Sequence, residues 1–81
     1  MDRNELESKA LDMLEDICAD DAVREERDVD LFDVGLLDSL AAIEVLVGIE
    51  ENFGVEIAPT AVERKEMNTV NKIIDQIAAR L

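Results

Sequence analysis

The sequence predicts an all-α bundle of three main helices plus one short helix, in a single domain over residues 1–81. Three observations carry this. Apolar residues recur at helical spacing in three separate segments. No segment shows the strict alternation of a half-buried strand. The core is forced to be aliphatic, because Phe32 and Phe53 are the only aromatic residues. A chain of 81 residues buries only about 60% of its unfolded surface, so one marginally stable core is expected.

The first helix is predicted over Asn4–Ala19. Leu6, Ala10, Met13, Leu14 and Ile17 form its apolar stripe, and acids and Lys9 cover the remainder. Asp2 and Asn4 are both suitable caps. Cys18 continues the apolar stripe and reads as core packing; as the lone cysteine it forms no internal disulfide. A polar stretch from Asp20 to Asp30 follows, with little periodicity, and Val23, Val29, Leu31 and Phe32 are its expected anchors. Long ordered loops in small domains are unusual and often functional.

A second helix is predicted to about Phe53, capped by Asp38 or Ser39 and ended by Gly54. Pro59 excludes helix across Ile57–Thr60. A short helical turn is expected around Ala61–Lys65. Thr69 is the cap of a last helix reaching Ala79, with Val70, Ile73, Ile74 and Ile77 as its apolar face.

The second helix is too apolar for an ordinary surface helix: Leu40–Ile49 carries one charge, Glu44. Ala42, Val45, Leu46, Ile49 and Phe53 make one stripe, suited to the core. Leu40, Ile43 and Val47 make a second, beside Glu44 and Glu51. A bundle this small covers one stripe but hardly both, so the second is a candidate docking face. Between Arg27 and Arg64 there are nine acids and no Lys or Arg. An apolar strip ringed by acids suits transient binding of basic partners.

Composition narrows the function. Eight Lys+Arg against 21 Asp+Glu give a net charge of −13. That sign opposes nucleic-acid binding and docking on an anionic membrane. There is no His, hence no imidazole base and no His-ligated metal. The N-terminus, Met1–Glu5, lacks the basic and apolar regions of a signal peptide, and no apolar run approaches the roughly 20 residues that span a bilayer. A cytoplasmic monomer without membrane insertion is expected. A calcium loop starting at Asp28 fails, because Phe32, Asp33 and Ser39 fall where a carboxylate or other ligand, a glycine and a glutamate are needed.

A serine at a helix N-terminus is usually only a cap. Ser39, however, stands where a long loop meets the unusual second helix. A phosphate on its hydroxyl lies near the helix's positive end, and Asp38 is placed to help hold a metal ion brought by a modifying enzyme. No base is available to make Ser39 a nucleophile. It reads as an acceptor of modification.

These residues resemble a known family. Asp38-Ser39-Leu40, opening an apolar and acidic helix, is similar to the phosphopantetheine site of acyl and peptidyl carrier proteins. Within that superfamily the likeness is to the D-alanyl carrier proteins, and it covers essentially the whole chain. Gly35-Leu36-Leu37-Asp38-Ser39 sets glycine four residues before serine, as in that family, and Asp30-Leu31-Phe32-Asp33-Val34-Gly35 matches its lead-in. Glu63–Ile74 resembles its Asp-Arg-Lys-Glu-Trp-Asn/Asp-Thr-Pro-Asn-Lys-Ile-Ile. Met67 replaces the Trp, Val70 the Pro, and Val62 a Phe; Leu40-Ala41-Ala42 replaces Phe/Met-Gly-Thr. These positions are expected on or near the surface that partner enzymes read.

The resemblance implies an acyl-carrier-like bundle with 4′-phosphopantetheine esterified to Ser39, beside Asp38. It implies a non-catalytic carrier of activated D-alanine for teichoic acid D-alanylation. Its partners are then a phosphopantetheinyl transferase, an adenylate-forming D-alanine ligase and a membrane acyltransferase. They share a surface of Leu40, Ile43, Glu44, Val47 and Glu51. A carrier of another acyl or amino acid, and a non-enzymatic acidic helical adaptor, are the competing expectations.

Overall fold

The computed structural model describes residues 1–81. Three α-helices form: α1 over Arg3–Cys18, α2 over Ser39–Phe53 and α3 over Val70–Ala78. Two short 3₁₀ turns, Asp21–Arg24 and Arg64–Glu66, lie in the connections, and no strand is present. No helix is long and apolar enough to cross a membrane.

Caps set the helix boundaries. Asp2, rather than Asn4, starts α1: its carboxylate accepts the Glu5 N–H at 2.8 Å. The helix therefore begins one residue earlier than its periodicity suggests, and it stops at Cys18 because Ala19 turns left-handed at φ 55°. Thr69 Oγ1 accepts from Lys72 N at 3.1 Å and opens α3 as expected. The short turn after α2 winds three residues later than predicted, over Arg64–Glu66. Ala61 N closes a turn onto Ala58 O at 2.9 Å around Pro59, which delays it, and Glu63 N then donates to Glu66 Oε1 at 2.8 Å.

The core is one cluster of 18 buried apolar residues. Leu6, Ala10, Met13 and Leu14 come from α1, Val45, Leu46 and Ile49 from α2, and Val70, Ile73, Ile74 and Ile77 from α3. The connections supply the rest, including Val23, Leu31, Ile57 and Met67. Val62 and Met67 are therefore core residues, contrary to their expected place near the partner-facing surface, and Val70 is buried as its place on the apolar face of α3 requires. Val70 continues the i, i+3, i+4 stripe of α3, which forces it inward. Cys18 is half-buried against the same core. Burial and the nearby Asp20 push its thiol pKa up, which disfavours the reactive thiolate.

The polar stretch after α1 is ordered by cross-links that sequence periodicity does not show. Arg24 pairs with Asp12 and Glu15 on α1, and Arg27 pairs with Glu7. Asn71 on α3 donates from its amide to Asp28 at 2.8 Å and from its backbone to the Arg27 carbonyl at 3.1 Å. Val23 and Leu31 plug the core as anticipated, while Val29 and Phe32 are only half-buried.

Candidate functional site

The chain reaches α2 along a path fixed by hydrogen bonds. One Asp30 carboxylate oxygen accepts the N–H groups of Phe32 at 3.0 Å and Asp33 at 3.1 Å. The other accepts the Asn68 amide at 2.8 Å, while Leu31 N donates to the Asn68 carbonyl at 2.7 Å. The Leu31 carbonyl in turn receives Leu36 N and Leu37 N at 2.9 and 3.0 Å. Gly35 takes φ 78°, a conformation that side chains resist, and so makes this reversal possible. With Leu31 and Leu37 both buried, the segment delivers residues 38 and 39 in one direction.

These bonds also set the electrostatics. The Asp33 N–H above all, then the Asn68 amide, the Phe32 N–H and the charge of Arg64, hold the Asp30 carboxyl below the usual carboxylate range, against the opposing effect of burial.

Sequence left two candidates for the α2 cap, and the structure selects Asp38. Its carboxylate accepts Ala41 N at 2.8 Å, and its carbonyl accepts Ala42 N at 2.9 Å. Ser39 is thereby the first helical residue. It is exposed, and no hydrogen bond within the chain engages its hydroxyl. Asp38 performs the capping that most serines at this position perform, which leaves the Ser39 hydroxyl available for chemistry with an outside reagent.

Beyond Ser39, α2 divides as its wheel indicates. Val45, Leu46 and Ile49 are buried, and Ala42 and Phe53 lie half-buried against the core. On the opposite face Leu40 is 71%, Ile43 44% and Val47 48% exposed, with Glu44 and Glu51 exposed beside them. Ile43, Glu44, Val47 and Glu51 line a groove of about 480 Å³ against α1. Leu40 stands apart from it, next to Ser39.

A second, smaller pocket of about 210 Å³ includes Ser39, and Ile43 lies between it and the groove. Phe32, Leu46, Pro59, Val62 and Met67 give it an apolar lining, and Arg64 shares it. The guanidinium of Arg64 lies 3.9 Å from the centroid of the Phe32 ring. Sequence reading missed this pocket, because its walls come from three chain segments. The only sequence signal is that Arg64 ends the long interval without a basic residue. An exposed free hydroxyl beside an apolar pocket with one cation fits a phosphodiester-linked, largely uncharged arm.

Comparison with known proteins agrees with this geometry. The family described as "Phosphopantetheine attachment site" matches residues 8–77. A D-alanyl carrier protein of Bacillus velezensis is 41% identical over 73 residues, 90% of this chain and 94% of the relative. One from Abiotrophia defectiva is 42% identical over 76 residues, 94% and 96% of the two chains. One from Bacillus subtilis is 36% identical over 74 residues, 91% and 95%. The protein is a non-catalytic carrier with a covalently attached 4′-phosphopantetheine group, and a transferase and a ligase are the partners such a carrier needs. Phosphopantetheine supplies a thiol on which an acyl group is held as a thioester. The chain belongs to the D-alanyl carrier proteins, within the phosphopantetheine-bearing carrier superfamily.

Proposed function

We propose that Ser39 is the attachment point of the arm, and that the protein holds activated D-alanine as a thioester for D-alanylation of teichoic acids. One observation carries the first part: Asp38 caps α2, so the exposed Ser39 hydroxyl is unengaged. The names of the similar proteins support the second. A transferase brings the arm on a diphosphate donor: the Ser39 oxygen bonds to the phosphorus that bears the arm, the donor's phosphoanhydride bond breaks, its nucleotide phosphate leaves, and the hydroxyl proton is lost. Asp38 lends its uncapped oxygen to the metal ion that the transferase brings. An adenylate-forming ligase then charges the carrier with D-alanine, and a membrane acyltransferase removes the cargo.

Leu40, Ile43, Glu44, Val47 and Glu51 are the surface these enzymes share. Its apolar centre supplies affinity, and its acids steer basic partners. The contacts are weak, because a shuttle must dissociate to reach its next enzyme. The carrier works as a cytoplasmic monomer, where ATP for adenylation is at hand.

Coexpression with a phosphopantetheinyl transferase, followed by intact-protein mass, tests the site. Wild type gains the mass of one arm, and Ser39→Ala gains none. An arm on Ser39→Ala, or none on wild type, overturns the assignment. Loading the holo protein from a panel of amino and fatty acids, each with its adenylating enzyme, tests the cargo. Preference for anything other than D-alanine overturns that part alone.

A further inference from the structure

Five arginines are present, and four of them donate side-chain hydrogen bonds: Arg3, Arg24 and Arg27 to carboxylates, and Arg80 to Gln76. Arg64 donates none and forms no ion pair, in a chain where acids outnumber bases 21 to 8. Its guanidinium is held instead by the face of Phe32, 3.9 Å from the ring centroid. Stacking of this kind fixes the plane of the group and leaves its in-plane N–H donors free. Those donors match the paired oxygens of a phosphate.

Arg64 shares the 210 Å³ pocket with Ser39. The phosphate that links the arm to Ser39 brings a negative charge into a strongly acidic stretch, where nine acids separate Arg27 from Arg64. Arg64 is the one cation lining that pocket, and its donors are unspent.

We propose that Arg64 binds the phosphate joining the arm to Ser39 and lays the first part of the arm over the pocket of Phe32, Pro59, Val62 and Met67. This rests on Ser39 being the attachment point. The residue is then a positioning group that belongs to the carrier itself. It narrows the directions in which the arm leaves α2 before any partner enzyme arrives.

The test uses apo and holo wild type and holo Arg64→Gln, each checked by intact mass. In wild type, the Arg64 Nε–Hε NMR signal shifts when the arm is attached, a readout that needs no variant. In holo Arg64→Gln the ³¹P transverse relaxation of the phosphodiester slows about twofold, as its local motion is released. A loaded protein whose Arg64 signal is unmoved, or whose ³¹P relaxation ignores the substitution, overturns the clamp and leaves Ser39 standing. A wild-type protein that takes no arm overturns the Ser39 assignment and the clamp together.

Discussion

The two connections of the bundle begin alike and then diverge. Each leaves its helix through a left-handed residue, Ala19 at φ 55° and Gly54 at φ 67°. The first, from Ala19 to Asp38, buries Val23, Leu31 and Leu37 and adds polar cross-links: Arg24 to Asp12 and Glu15, Arg27 to Glu7, Asp28 to Asn71, and Asp30 to Asn68. The second, from Gly54 to Thr69, is held by burying Val55, Ile57, Val62 and Met67. Apolar burial is the stronger force per residue but carries no direction. Hydrogen bonds are directional, and each is worth only about 1 kcal/mol net. Both connections seal the core, and the directional device is added on the side that leads to Ser39.

Changing one residue in each connection tests that division. Ile57→Ala should give the largest loss, about 2–4 kcal/mol in urea unfolding, with arm attachment to Ser39 unchanged under native conditions. Asp30→Ala should cost less, since it removes directional hydrogen bonds rather than buried apolar surface, yet slow arm attachment, because the path into α2 loosens. If Ile57→Ala slows attachment more than Asp30→Ala does, the division of labour fails.

Acid sharpens the comparison. Arg27, with Arg3, holds the Glu7 carboxyl low, much as the Asp33 N–H and its companions hold Asp30. A carboxyl with a depressed folded pKa binds fewer protons folded than unfolded. Its stabilisation is therefore complete above the ordinary carboxylate pKa and is lost as pH falls through the lowered value. The stability gap between wild type and Asp30→Asn should be full near neutrality and close below about pH 4. A gap that stays constant down to acid unfolding removes Asp30 from the account.

The smallest effects concern the two left-handed residues. Ala19→Gly should stabilise by about 0.5–1 kcal/mol, since only glycine adopts this conformation without strain. Gly54→Ala should destabilise by about 1 kcal/mol for the same reason. Opposite signs in thermal melts confirm that both turns are set by backbone geometry.

The helices and the two faces of α2 were legible in the sequence because their signals are local. Val45, Leu46 and Ile49 against Leu40, Ile43 and Val47 is a pattern written in helical period, and burial follows it. The choice between Asp38 and Ser39 as cap was not legible, since both side chains suit the position. The turn at Asp21–Arg24 is too short to show a period, and Asp20, which accepts Ala22 N at 2.9 Å, was its one local sign. The Asp30–Asn68 and Asp28–Asn71 cross-links join residues 38 and 43 positions apart, a spacing that no window along the chain contains. Arg64 was missed as a neighbour of Ser39 for the same reason. Val70 was placed correctly by its period, on the apolar face of α3, whereas Val62 and Met67, which lie outside any helical period, were placed near the partner surface only by likeness to relatives.

Asp38 holds the first turn of α2 whether or not Ser39 carries anything. The cap needs no atom of Ser39's side chain, so the first turn of α2 is built the same way in a bare chain and in a modified one, and modification has no part in starting the helix.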